Sequence, residues 1–230
     1  MQKTRRFTTL RAGEAVALNM PDAYLTASVD DSPEPVRSQI KRWLKRPGPG
    51  VWICGRSGAG KTRTATAIAL ELFRRGEDVM SVWWPDCFWR LRNHRAGIIS
   101  QDEALGWLIL PPVLLLDEIS SLFMYWPLAA DFRPALKMRA EAGRPTIATS
   151  HITIPDYISF CDSEARNYLS GFTTLNLPPR SANTRDWTRD EVYELKMIAG
   201  KMIQRGWLTP EEACLEVPRR IARLKQAPVF

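Results

Sequence analysis

The sequence predicts an α/β fold: a parallel sheet flanked by helices, with functional loops at the strand carboxyl ends. Three observations carry this. Gly55-Arg56-Ser57-Gly58-Ala59-Gly60-Lys61-Thr62 reads G-x-x-x-x-G-K-T, between the apolar run Val51-Trp52-Ile53-Cys54 and an alanine-rich helical run from Arg63 to Arg75. Val113-Leu114-Leu115-Leu116-Asp117-Glu118 is continuously apolar and then doubly acidic, the pattern of a strand covered on both faces with carboxylates at its end. Strand-like and helical runs also alternate between residues 50 and 177.

Taken in order, residues 1–35 carry weak periodicity, and Asp30-Asp31-Ser32-Pro33-Glu34-Pro35 is a breaker and helix-start signal. Val36, Ile40, Trp43 and Leu44 recur at helical spacing, with Arg37, Lys41, Arg42, Lys45 and Arg46 between them. Pro47-Gly48-Pro49-Gly50 ends that basic amphipathic helix and leads into the first strand. After the glycine-rich loop, Ala65, Ile68, Ala69, Leu72 and Phe73 give the next helix an apolar face, and Gly76 closes it. Val79 to Trp84 is rich in β-formers. Pro85 opens a short helix through Leu91 and Arg92, and Ser100 caps another that Pro111-Pro112 closes. The acidic-ended strand follows, then a helix over Leu128–Ala142, a strand over Pro145–His151, a short helix over Asp162–Leu169 and a last strand over Phe172–Leu177. From Ser181 the texture changes to a loop and two helical runs, the second opened by Thr209-Pro210-Glu211-Glu212 and interrupted by Pro218. The predicted organisation is therefore a segment 1–46 with the basic helix, a core 47–180 and a helical appendage 181–230.

The glycine-rich loop has a definite chemistry. Glycines permit a tight turn whose successive N–H groups point at phosphate oxygens. The helix that begins near Gly60 adds its positive dipole end. Lys61 brings a point charge to the β- and γ-phosphates, and the Thr62 hydroxyl is a ligand for Mg²⁺. In register after such a loop, Asp117 would hold Mg²⁺ directly or through water, and Glu118 would orient and polarise an attacking water.

Composition narrows the rest. At 230 residues and 45% hydrophobic, the chain can bury a substantial core. No apolar run approaches the roughly 20 residues of a membrane span, and the basic start Met1-Gln2-Lys3-Thr4-Arg5-Arg6 lacks the apolar stretch of a secretory signal. Cys54, Cys87, Cys161 and Cys214 are scattered without a C-x-x-C pair, which fits reduced thiols in a cytoplasmic protein better than disulfides or zinc. The net charge of +7 favours an anionic partner, nucleic acid first, over a surface that is basic only for solubility.

With these elements in order, residues 45–180 resemble the DnaC/IstB group of AAA+ ATPases, the helicase loaders and transposition helpers. Besides the two nucleotide motifs, the resemblance rests on Asp86–Arg92, on Asp102-Glu103-Ala104-Leu105-Gly106-Trp107 before Leu116-Asp117-Glu118, and on Arg139 ahead of Arg144-Pro145-Thr146-Ile147-Ala148-Thr149-Ser150. It implies a P-loop NTPase of the AAA+ class that binds ATP and Mg²⁺, self-associates into an oligomer or filament, and engages DNA, single-stranded by preference. The implied protein partner is a replicative helicase or a transposase. Where the family usually has Asn after Thr-Ser, a side chain that helps position the attacking water, this chain has His151, which either takes that role or sits on the sheet edge without one. Arg166 in Glu164-Ala165-Arg166-Asn167-Tyr168-Leu169 lies where the family carries a trans-acting arginine. Arg180 lies where a second arginine reaches nucleotide. The basic and aromatic run Cys87–Arg95 lies where the family tracks DNA, so Arg90, Arg92 and Arg95 are either phosphate contacts or simply solvated, with Phe88 and Leu91 in the core. The segment ahead of the core is short, so the C-terminal hairpin is either a lid or the partner-binding module. A helicase-loader role is expected, with a duplex-coating transposition regulator as the alternative. A small-molecule kinase fits less well, because Asp117-Glu118 ends its strand in the hydrolase manner.

Overall fold

The computed structural model describes residues 24–56, 58–119, 126–160 and 163–178. The predicted hairpin beyond Ser181, the first 23 residues, Ser57 and Arg180 lie outside them. In chain order the elements are α1 (Val36–Lys45), β1 (Gly50–Cys54), α2 (Lys61–Arg74), β2 (Val79–Trp83), α3 (Trp84–Arg95), α4 (Gln101–Ile109), β3 (Val113–Asp117), α5 (Trp126–Glu141), β4 (Thr146–Ser150), α6 (Ile154–Phe160), α7 (Arg166–Leu169) and β5 (Thr173–Asn176). The five strands form one sheet in the order β2-β3-β4-β1-β5, and every pairing is parallel. β1, β3 and β4 lie inside the sheet, which is why β1 and β3 read as continuously apolar rather than alternating, while β4 (Thr146-Ile147-Ala148-Thr149-Ser150) is fully buried but carries hydroxyls.

Successive side chains on a strand point to opposite faces, and the core divides accordingly. Val51, Ile53, Val113, Leu115 and Ile147 face one way and pack with Val36, Ile40 and Leu44 of α1 and Ala65, Ile68, Ala69 and Leu72 of α2. Trp52, Cys54, Leu114, Leu116 and Ala148 face the other way and pack with Cys87 and Leu91 of α3, Leu105 and Leu108 of α4, and Phe132 and Leu136 of α5. The basic helix α1 is thus bound into the same core as the glycine-rich loop's own helix. Gly50 is required where β1 passes β4 and the chain before β5: an added Cβ would lie 2.5 Å from the Thr146 carbonyl oxygen and 2.4 Å from the Phe172 ring.

Several boundaries differ from expectation for local reasons. β2 ends at Trp83, not Trp84, because Pro85 in the first turn starts α3 one residue early. The helix expected over Asp162–Leu169 is a 3-10 turn at Ser163–Ala165 followed by the four-residue α7. α6 was not anticipated from sequence. Its start signal is Thr153-Ile154-Pro155-Asp156, in which the Thr153 hydroxyl accepts from the Asp156 N–H (3.3 Å) and the Asp156 carboxylate accepts from the Thr153 N–H (3.3 Å). This is a reciprocal cap with proline in the first turn. The Ser100 cap stands as expected, its hydroxyl accepting from the Glu103 N–H at 3.1 Å.

At the strand amino ends a single side chain ties three segments together. Arg139 of α5 is 1% exposed. Its guanidinium donates to the Thr146 hydroxyl (2.8 Å), to the carbonyls of Leu108 (2.9 Å) and Pro111 (2.8 Å), and to the carbonyl of Pro145 (2.7 Å). The carbonyls at the end of α4 have no partners within their own helix, and a cation there also suits the negative end of the helix dipole. Burial, with a smaller contribution from Arg144, pulls the Arg139 pKa down to about 10, so the group remains charged at neutral pH. Arg139→Met should leave several buried acceptors unsatisfied and lower the unfolding free energy by about 3 kcal/mol or more. Arg139→Lys should recover only part of this, because an ammonium cannot span the same acceptors. Urea titration of the three proteins measures the order, and a Met variant with the parental midpoint would contradict it.

Candidate functional site

The carboxyl ends of β1, β3 and β4 meet in one place, and the sequence-predicted residues are distributed over them. The loop after β1 turns at Gly58 (φ 72°) and Gly60 (φ 96°), in the left-handed region that glycine enters freely. Gly60 is also the residue that caps α2, so the loop delivers the chain straight into the helix start. Gly55 is required by close approach, since an added Cβ would lie 2.9 Å from the Leu177 carbonyl oxygen. Ala59 is buried in the core beneath the loop. Lys61, 6% exposed, donates to the carbonyls of Gly55 (3.0 Å) and Arg56 (3.1 Å).

Asp117 is the meeting point. It is the last residue of β3, and it accepts from the Thr62 hydroxyl at 3.0 and 3.2 Å on its two oxygens and from the Thr149 hydroxyl at 2.6 Å. Burial raises its pKa above the usual carboxylate value and the charge of Glu118 adds to that, while the hydrogen bonds from Thr149 and Thr62 and the charge of Lys61 oppose it. Glu118, the next residue, has φ 67°. A left-handed backbone costs a non-glycine residue about 1–3 kcal/mol and persists only where its surroundings hold it. Here the Glu118 N–H donates to the Thr149 hydroxyl at 2.8 Å, and the carboxylate lies 3.2 Å from His151 Nε2.

His151 lies between the two motifs. Its ring nitrogens are 3.3 Å (Nδ1) and 3.4 Å (Nε2) from Lys61 Nζ. Lys61 Nζ is thus nearly equidistant from the two nitrogens and faces the ring, while Nε2 is the nitrogen beside Glu118. The turn that presents His151 is held by the Ser150 hydroxyl, which accepts from the Ile152 N–H at 3.1 Å. Beside this cluster the Cys54 thiol donates to Asn176 Oδ1 at 2.7 Å, and burial pushes its pKa up to about 11.

Lys61, Thr62, Asp117, Glu118 and His151 are therefore brought together. The remaining predicted residues are placed elsewhere. Arg166 is exposed at the start of α7, between the buried Ala165 and Leu169, and no ion pair among the described residues involves it. Arg90, Arg92 and Arg95 are on α3. At about 100° per residue, Arg92 and Arg95 share a side of that helix and Arg90 is turned well away. The Arg90 guanidinium lies 5.0 Å from the Trp107 ring centroid of α4 and 3.4 Å from the Glu103 carbonyl oxygen. Arg95 is exposed and Arg92 half-buried. Thr149 was visible in the sequence only as part of a strand end. Its role in the cluster depends on the pairing of Leu116 with Ala148, which sets Asp117 beside it.

The site's donor set suits a hard divalent cation with a polyphosphate: a hydroxyl and a carboxylate oxygen 3.0 Å apart, next to a buried ammonium. A cation would also offset the cost of keeping the Asp117 carboxylate dry.

No protein-family model and no curated protein matches the chain. Solved structures do. The DnaI structure is 23% identical, with a TM-score of 0.56 over 69% of this chain and 95% of that one. The DnaC helicase loader is 18% identical, with a TM-score of 0.56 over 69% of this chain and all of that one. The replication initiator DnaA, bound to AMPPCP and single-stranded DNA, is 16% identical with a TM-score of 0.55, over 86% of this chain and 64% of that one. The chain thus has the fold of an AAA+ P-loop NTPase, and its neighbours include solved structures of the group its motifs resemble. Among the described residues, no helix is long and apolar enough to cross a membrane.

Proposed function

We propose that this AAA+ chain is a cytoplasmic ATPase of DNA replication, of the helicase-loader type, which binds ATP and Mg²⁺, assembles with copies of itself, and engages single-stranded DNA and a replicative helicase. The observation that carries the nucleotide part is the convergence of Lys61, Thr62, Asp117 and Glu118 at the ends of β1 and β3. The neighbours, which include a helicase loader and an initiator bound to AMPPCP and single-stranded DNA, support the replication part. The loop from Gly55 to Thr62, including Arg56 and Ser57, would cradle the phosphates through its backbone N–H groups, with Lys61 neutralising the terminal ones. Thr62 and Asp117 would hold Mg²⁺, whose charge polarises the phosphate oxygens. Glu118 would take the proton of the attacking water, and His151 would hold the Glu118 carboxylate in place. Arg166 and Arg180 would reach nucleotide, Arg166 from the neighbouring subunit.

Lys61→Ala should weaken ATP binding by at least about 30-fold, the loss expected when one side of a buried charge pair is removed. Glu118→Gln should bind ATP like the parent and lose about 10²–10⁴ in turnover. Titration with a fluorescent ATP analogue, together with phosphate release, separates the two effects. Equal turnover by Glu118→Gln and the parent would remove Glu118 from the reaction.

The exposure of Arg166 permits action across an interface. Arg166→Ala should bind ATP but hydrolyse poorly. A mixture with Lys61→Ala, which keeps Arg166 but has lost its own site, should regain activity at concentrations where subunits assemble. No recovery in mixed oligomers would exclude Arg166 as the trans residue.

For DNA, affinity for a single strand should fall with salt at a log–log slope of about −0.7 per phosphate contacted. Removing Arg92 and Arg95 together should flatten that slope. Arg90→Ala should change it little, because Arg90 rests on Trp107. Unchanged binding by the double variant would place the DNA site elsewhere, and a preference for duplex would favour a transposition regulator.

A further inference from the structure

We infer that Thr149 is a positioning residue for the two acids: one hydroxyl fixes the Asp117 carboxylate and the Glu118 backbone as a single unit. The inference deepens the ATPase reading above and rests on it for its kinetic consequences.

Thr149 is fully buried, at 0% exposure, in the interior strand β4. A valine would serve such a position equally well as far as strand preference and packing go. The hydroxyl is what distinguishes threonine, and both of its hydrogen-bonding capacities are used in the cluster. It donates to Asp117 Oδ1 at 2.6 Å and accepts from the Glu118 N–H at 2.8 Å. The paired register of β3 and β4 ends at Leu116 and Ala148, one residue short of Asp117. Asp117 still pairs with Trp83 of β2, but on the β4 side no ladder pair continues, and there the Thr149 side chain supplies the link between the two strand ends.

The consequence concerns Glu118. Its backbone is left-handed, a conformation that a glutamate does not hold without support. With the N–H tied to Thr149 and the carboxylate beside His151, the side chain is held at both ends. Releasing the N–H lets the backbone relax toward the ordinary right-handed or extended regions. That swings the carboxylate away from Asp117's neighbourhood without touching the phosphate loop. Thr149 therefore acts on the spacing between the metal-binding acid and the water-activating acid. Metal-free nucleotide affinity, carried by Lys61 and the loop, is expected to be independent of it.

The test uses Thr149→Val, Thr149→Ala and Thr149→Ser in the full chain, with three measurements. Hydrogen exchange of the Glu118 amide, followed by NMR without nucleotide, should show protection in the parent and in Thr149→Ser. It should be lost in the Val and Ala variants while the amides of β1 and β4 stay protected. Affinity for a fluorescent ATP analogue, measured without Mg²⁺, should change by less than about threefold in all variants. Turnover should fall by about 10–100-fold in Val and Ala, the scale of a sub-ångström to ångström misplacement, and Ser should restore most of it. A parent Glu118 amide that exchanges like a free loop amide overturns the inference, and needs no variant to fold. Val turnover equal to the parent, or Ser no better than Val, also overturns it. If the parent itself does not hydrolyse ATP, the ATPase reading fails instead, and the amide measurement still decides whether Thr149 holds Glu118.

Discussion

Asp117 keeps a carboxylate in a largely dry position, and the site is built around meeting that requirement. Burial disfavours its charged form, and the nearby charge of Glu118 disfavours it further. Two hydroxyls, from Thr62 at the start of α2 and Thr149 on β4, offset this by donating to it. One comes from the helix that follows β1 and the other from β4, so satisfying one carboxylate aligns the end of β3 with both. At the same strand ends His151 lies in contact with both the Lys61 ammonium and the Glu118 carboxylate.

The fold separates this function from its stability. At the carboxyl end of the sheet, glycines with positive φ and a glutamate in the left-handed region leave the backbone under local constraint. At the amino end, Arg139 collects the carbonyls of Leu108, Pro111 and Pro145, closing α4 and the entry to β4. Between them lie two apolar layers, one on each face of the sheet, and the alternation of β1 side chains feeds both. Rigid strands joined this way can hold strained residues at one end, because the stabilising contacts are elsewhere.

Much of this was legible in the residues themselves. The interior strands were recognisable because full burial on two faces demands unbroken apolar runs, as in Val113–Leu116. The glycine-rich loop was recognisable because its geometry is local: glycines, a following helix, and Lys61 and Thr62 at the helix start. The basic helix α1 read correctly as amphipathic, with Val36, Ile40, Trp43 and Leu44 buried. α6 was missed although its Thr153–Asp156 cap was in view, because a seven-residue helix offers too little periodicity to stand out.

By itself, then, the sequence determined the features in which neighbours along the chain act together: the loop, the acidic strand end, the caps and the alternation of elements. The tertiary structure alone decided which distant groups meet. Thr149 lies 32 residues from Asp117, His151 lies 90 from Lys61, and Asn176 lies 122 from Cys54. Their contacts follow from strand order and register, with β4 set between β3 and β1 and β5 beyond β1. Local patterns leave that order open, because burial on both faces marks a strand as interior without naming its neighbour. The choice is made only when the helices cover both faces and groups such as Asp117, Thr149 and Arg139 find their partners.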